Sequence, residues 1–96
     1  MRLEDAIQVR VRDGQLVVSG DMDLATTPVL LKAAAKLTGR PIELDLAGVA
    51  FIDSTGLHLL LDLRKTQGRL RLVGSSPAVD RVLEITGTRE FLFGSD

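Results

Sequence analysis

Phe51-Ile52-Asp53-Ser54-Thr55-Gly56-Leu57 decides how this chain folds. An apolar strand ends at Ile52, an acid and two hydroxyls follow, and a leucine-rich helix begins. The junction sets Asp53 and Ser54 at a helix N-terminus, where the first-turn N–H groups lack intrahelical partners and the helix dipole is positive. A serine so placed is a cap, a nucleophile or the acceptor of a phosphoryl group.

Outward from that junction the chain alternates strand and helix. Upstream, Ile42-Glu43-Leu44-Asp45-Leu46 has the two-residue period of a half-buried strand; Ala47-Gly48 reads as a break before Val49 to Ile52 resumes. Before it, Thr26-Thr27-Pro28 opens a helix, with Thr27 as cap and Pro28 at the first helical position. Val29, Leu30, Ala33, Ala34 and Leu37 form its apolar stripe, and Gly39 is its expected stop. Earlier still, Ile7 to Arg12 and Leu16 to Ser19 are two strands joined by the Asp13-Gly14 turn. Gly20-Asp21-Met22-Asp23 reads as a loop. Downstream of the junction the second helix runs from Ser54 to about Thr66 and ends at Gly68. Leu70 to Val73 is a strand closed by Gly74. Ser76-Pro77 starts a third helix, with Val79, Val82, Leu83 and Ile85 facing inward, that stops at Gly87. Phe91-Leu92-Phe93 reads as a short edge strand. This order predicts an α/β fold, a single mixed β-sheet (opening hairpin, then parallel strands) covered by helices on one face.

Composition narrows the chemistry. Ninety-six residues make one domain, spanning 1–96. The core must be aliphatic, because the chain has three Phe and no Tyr or Trp. With no cysteine and a single histidine, thiol catalysis and the usual zinc ligand sets are excluded, and no metal or cofactor is expected. The net charge of −1 gives no electrostatic footprint for nucleic acid. The start of the chain lacks an apolar signal segment and no stretch is long enough to span a bilayer, so a cytoplasmic domain without membrane insertion is expected.

The second helix carries more leucine than one buried stripe needs. Leu57, Leu60 and Leu61 cluster on one side, Leu63 lies at the edge and Leu59 beyond it. An apolar arc near ~200° is wider than the ~100° that covers a core. Either neighbouring helices cover both flanks, or Leu59 stays partly exposed and meets a partner. Ser54, His58 and Asp62 recur at four-residue spacing and share a face. A Ser-His-Asp row can be drawn, but the residues lie along one helical surface and the context is not Gly-x-Ser-x-Gly. We read the chain as a binding protein, not an enzyme. Gly14, Gly20, Gly48 and Gly56 are scattered and form no phosphate-binding run. Arg10, Arg12, Arg69 and Arg71 occupy solvent-facing strand positions that form a small basic patch only if their faces coincide.

Leu44 through Leu57 resembles the signature of STAS domains, and more narrowly that of bacterial anti-anti-sigma factors, also called anti-sigma factor antagonists. Gly20-Asp21-Met22-Asp23 is similar to the family's Gly-Glu-Leu-Asp, and Ser76 through Gly87 to its third helix. The resemblance implies that the chain binds an anti-sigma factor serine kinase of the histidine-kinase-like ATPase type and so frees a sigma factor for RNA polymerase. It implies phosphorylation of Ser54, which breaks that complex, and a phosphatase that reverses it. Asp21, Asp23, Asp53, Ser54, Thr55, Gly56, His58 and Leu59 are the expected partner-binding residues. His58 departs from the family, where glycine is frequent. The small accessory subunits of phospholipid-transport ABC complexes share the strand–Asp–hydroxyl–Gly–Leu–Leu pattern and give the alternative function; they often lack a serine after the aspartate.

Overall fold

A computed structural model describes residues 6–37, 42–68 and 70–93. Among the described residues, four strands and four helices follow one another: β1 (Ile7–Arg12), β2 (Gln15–Met22), α1 (Thr27–Ala34), β3 (Ile42–Ile52), α2 (Ser54–Gln67), β4 (Leu70–Ser75), α3 (Pro77–Thr86) and α4 (Arg89–Phe93). A short 3₁₀ turn, Ala35–Leu37, extends α1. Gly39 and Arg69 lie outside the described residues.

The strands form one sheet in the order β1-β2-β3-β4. β1 and β2 are antiparallel; β2, β3 and β4 run parallel. The hairpin turn needs positive φ at both central residues, and Asp13 and Gly14 supply φ of 50° and 81°. Both crossovers, β2 to β3 and β3 to β4, step the same way along the sheet, and the right-handed rule for parallel crossovers puts their helices on one face. α1 packs on β1 and β2, α2 on β3 and β4, α3 on β3, and α4 on β4 and α2. Ile7, Leu16, Val18, Ile42, Leu44, Leu46 and Leu70 meet Leu30, Leu60, Leu63, Val79, Leu83 and Leu92 in a mainly aliphatic core that also holds Met22, with Phe93 packed against it. Residues of alternate parity, such as Arg10, Arg12 and Arg71, point to an uncovered face.

The structure corrects the sequence reading in several places. Gly20 to Met22 is not a loop: β2 continues, and Asp21 and Met22 pair with Phe51 and Ile52. Ala47-Gly48 does not break β3, which runs unbroken for 11 residues. It gains one residue on β2 between the Val17–Asp45 and Ser19–Gly48 pairs, a bulge that keeps the ladder while shifting the side-chain parity. The Asp45 carboxylate braces this bulge by accepting from the Ala47 N–H at 3.0 Å. Thr26, not Thr27, borders α1, and Thr27 is its first residue. Phe91 to Phe93 is helical, so no fifth strand forms among the described residues. Ile85 is 73 % exposed, since only Val79 and Leu83 of α3 reach full burial. Arg12 and Arg71 do share the uncovered face, but Gln15 and Glu43 lie between them, so no basic patch forms there.

Candidate functional site

The C-terminal ends of β2 and β3 lie side by side and each opens a helix. Asp53 is extended at φ −113°, ψ −172° and caps α2. Its Oδ1 accepts from the Thr55 N–H at 2.9 Å and the Gly56 N–H at 3.0 Å. The Asp53 N–H in turn donates to the Met22 carbonyl at 3.2 Å, tying the start of α2 to the end of β2. Gly56 makes that closeness possible, because a Cβ there would stand 2.5 Å from the Met22 oxygen. Glycine at this position is therefore set by backbone contact, not by flexibility.

Ser54 is the first residue of α2 and is exposed; Thr55 is half-buried, and Gly56 and Leu57 are buried. His58, one turn later, is exposed. Leu59 is only 4 % exposed and belongs to the core with Leu57, Leu60 and Leu63. Of the two alternatives for the excess leucine, the first holds: α1 and α4 contact α2, and Leu59 is a core residue, not the partly exposed partner contact expected of it. The cap also revises the local electrostatics. Two first-turn N–H groups that a phosphate on Ser54 would meet are already taken by the Asp53 carboxylate.

The second wall of the site comes from the β2–α1 turn. Asp21 and Asp23 are half-buried. They are held by the buried Thr26, which the sequence reading placed at the start of the helix but gave no role in the site. Its hydroxyl donates to the Asp21 carbonyl at 2.7 Å and accepts from the Asp23 N–H at 2.9 Å. The Asp23 carboxylate accepts from the Thr26 N–H at 3.1 Å. This reciprocal Asp–x–x–Thr arrangement is legible as a local turn signature ahead of Pro28. It fixes the chain path of residues 21–26 against the α2 N-terminus. The sequence reading also passed over Leu24, 74 % exposed, and Phe51, 49 % exposed. Leu24 lies within that turn, and Phe51 shares its register with Asp21. The signal for Phe51 is the second β3 bulge, between the Gly20 and Asp21 pairings, which shifts the side-chain parity so that Phe51 points outward while Val49 and Ile52 are buried.

Chemically, the site offers one exposed hydroxyl, three carboxylates on adjoining strand ends and two solvent-facing apolar side chains. Among the described residues no cluster of His, Cys, Asp and Glu suits a metal ion, and no helix is long and apolar enough to cross a membrane. Asp62 lies two turns after Ser54 and is exposed, so the drawn Ser-His-Asp row runs along an open helical surface.

Comparison with known proteins agrees with this geometry. A family model described as "Mlab, STAS domain" matches residues 6–93. The anti-sigma-B factor antagonist of Listeria monocytogenes is 31% identical over 97 residues, covering 91% of this chain and 85% of the relative. That of Staphylococcus aureus is 29% identical over 85 residues, covering 81% of this chain and 79% of the relative. Among solved structures, an anti-sigma factor antagonist from Mycobacterium paratuberculosis superposes with a TM-score of 0.73 at 30% identity, covering 93% of this chain and 84% of that one. The anti-sigma factor antagonist SpoIIAA in its unphosphorylated form shares the fold, with a TM-score of 0.62 at 24% identity over 85% of this chain and 81% of that one. With the sheet, the capped junction and these matches in agreement, the chain belongs to the STAS domain family.

Proposed function

We propose that this protein is an anti-sigma factor antagonist. It binds an anti-sigma factor that is also a serine kinase, which releases a sigma factor, and phosphorylation of Ser54 ends that binding. The observation that carries the reading is Ser54 itself: an exposed hydroxyl directly after a capping aspartate, on the face formed with the β2–α1 turn. Relatives and a structural neighbour at about 30% identity, named as anti-sigma factor antagonists, support the same reading.

The proposed switch is electrostatic. A phosphate adds about −1.5 to −2 charges. At Ser54 it adjoins Asp53, which has already claimed two N–H donors and whose own N–H ties this junction to Met22, between Asp21 and Asp23. The helix dipole offsets part of the local cost, so α2 stays folded. The repulsion is expressed where a partner must desolvate the face, and like charges brought together at an interface cost several kcal/mol. A phosphatase acting on Ser54 would restore binding. His58 and the exposed Leu24 and Phe51 are further contacts of this docking face.

The test is to incubate the protein with its host's anti-sigma factor kinases and ATP and to map any added mass. One phosphate on Ser54, absent from Ser54→Ala, is the expected result. An unmodified protein, or a phosphate on another residue, contradicts the reading.

A second reading keeps the fold and changes the partner: an accessory subunit of a phospholipid-transport ABC complex. The Asp53 cap and the Gly56 contact fit this reading as well, since neither involves the Ser54 hydroxyl. Affinity capture discriminates, with an ABC ATPase recovered instead of an anti-sigma kinase.

A further inference from the structure

One turn along α2 from Ser54 stands His58, and both side chains are exposed. Residues four apart on a helix share a face, and each side chain leans toward the N-terminus, over the turn before its own Cα. The His58 imidazole therefore leans over the turn that Ser54 begins. His58 also lies on the outward face of α2, opposite the buried line of Gly56, Leu60 and Leu63. The surroundings leave it as the cation within reach of a phosphate on Ser54. Asp53 already holds the Thr55 and Gly56 N–H groups at 2.9 and 3.0 Å, so two helix-start donors are taken. Arg64 and Lys65 belong to the last turn of α2, roughly 15 Å further along the axis. The elements packed against α2 bring Lys32 on α1, Glu43 and Asp45 on β3, Arg71 on β4, and Arg89 and Glu90 on α4. The strand groups point to the uncovered face of the sheet, and Arg89 is engaged by Asp80 at 2.8 Å. Lys32 and Glu90 are exposed on the flanking helices. Asp53 beside Ser54, Asp62 one turn beyond His58, and Asp21 and Asp23 on the adjoining strand end are the same whether or not Ser54 is modified.

We propose that His58 is the internal counter-ion of phosphorylated Ser54, and that it makes the released state of the switch depend on pH. The proposal rests on the reading of Ser54 as the phosphoacceptor. An anion four residues N-terminal to a cation is the favourable order on a helix. A serine phosphate takes its second negative charge near pH ~6, and a histidine loses its positive charge near pH ~6.5. Both groups therefore change charge in one narrow range, and each charged form favours the other. With the imidazole protonated, the pair carries about −1; with it neutral, the pair carries about −2.

The sign follows. Above about pH 7.5 His58 offers no compensating charge, and a docking partner meets the full repulsion of the phosphate beside Asp53. As pH falls toward about 6.5, the imidazole gains its proton, draws the phosphate back onto α2 and cancels part of its charge. Phosphorylation then weakens docking less. His58 acts here through the phosphate, as a positioning residue of the switch.

The test uses the full chain with phosphoserine installed at position 54 during translation, so that it depends on no kinase. Phosphorus NMR follows the second ionisation of the phosphate. At low salt its midpoint is expected to lie at least ~0.3 pH units lower in the otherwise wild-type chain than in His58→Gln. The difference closes at about 1 M salt, and His58→Lys, a cation throughout the range, restores the low midpoint. Circular dichroism confirms the fold of each variant. Calorimetry with the anti-sigma factor kinase gives the functional readout. Between about pH 8 and pH 6.5 the affinity lost on phosphorylation shrinks about 2-fold more in the wild-type chain than in His58→Gln. Equal midpoints with and without His58, a His58→Lys midpoint that stays at the glutamine value, or the same pH dependence of binding in His58→Gln, overturns the proposal. A kinase that leaves Ser54 unmodified contradicts the proposed function without altering the phosphorus titration, so the two failures read separately.

Discussion

Asp53 does two jobs at once: its carboxylate caps α2, and its charge sits beside the exposed Ser54 hydroxyl. Substitution separates them. Asp53→Ala removes both cap bonds and is expected to lower stability by ~1–2 kcal/mol, read as a shifted denaturation midpoint at constant m. Asp53→Asn keeps the accepting oxygen and should cost only a few tenths of a kcal/mol. Gly56→Ala tests the backbone contact in a direction that helix propensity alone gets wrong. Propensity favours alanine by ~1 kcal/mol, yet the new Cβ would lie 2.5 Å from the Met22 carbonyl. The variant is expected to be less stable by ~1–3 kcal/mol, and a stabilised Gly56→Ala protein would refute the close approach. The cap was legible in the sequence because an acid three residues before a glycine, at the end of an apolar run, has a local mechanism. The Asp23–x–x–Thr26 spacing is a local turn signal, but the burial of Thr26 and its bond to the Asp21 carbonyl become visible only once the turn closes.

Among the elements, α2 settled the question of what its excess leucine is for. Periodicity gives an apolar arc but not which neighbours cover it; α1 and α4 do, and Leu59 is core. Leu59→Ala should therefore cost ~2–5 kcal/mol of stability, whereas a surface contact would move the denaturation midpoint hardly at all. The strand errors have a shared cause. Two bulges in β3 against β2 shift parity without ending the strand, and alternation read from sequence takes such a shift for a break. The Phe91–Phe93 segment is helical where a β-rich aromatic run suggested strand, and its anchor is tertiary. Arg89 on α4 pairs with Asp80 on α3 at 2.8 Å. The Ser75 hydroxyl, donating to Asp80, and the Arg89 guanidinium hold that carboxyl below its ordinary value of 3.8. Because the folded-state value is depressed, the stability this group contributes is present above the unfolded value and is lost as pH falls through the folded one. Arg89→Ala and Ser75→Ala should each raise the Asp80 titration midpoint, followed by carboxyl-carbon NMR.

At the scale of the whole molecule, the fold works as a rigid mount. One sheet, four strands in sequential order and helices on a single face bring two strand ends together and present Ser54 there. That layout was legible from hydrophobic period and turn residues, since each crossover has one favoured hand. The exposure of Leu24 and Phe51 was not, because it depends on how the β2–α1 turn and the second bulge settle. Nothing in this mount needs to unfold for a phosphate to act. Ser54→Asp is expected to change stability by under ~1 kcal/mol, with an unaltered circular dichroism spectrum. The central claim is that charge on Ser54 acts on docking and not on folding. Its most direct test is to titrate the same anti-sigma factor kinase, by calorimetry, with protein bearing phosphoserine at position 54 and with the unmodified protein. The account predicts at least ~10-fold weaker binding of the phosphorylated form, or ~1.4 kcal/mol, at equal thermal stability. Equal affinity of the two forms would contradict it.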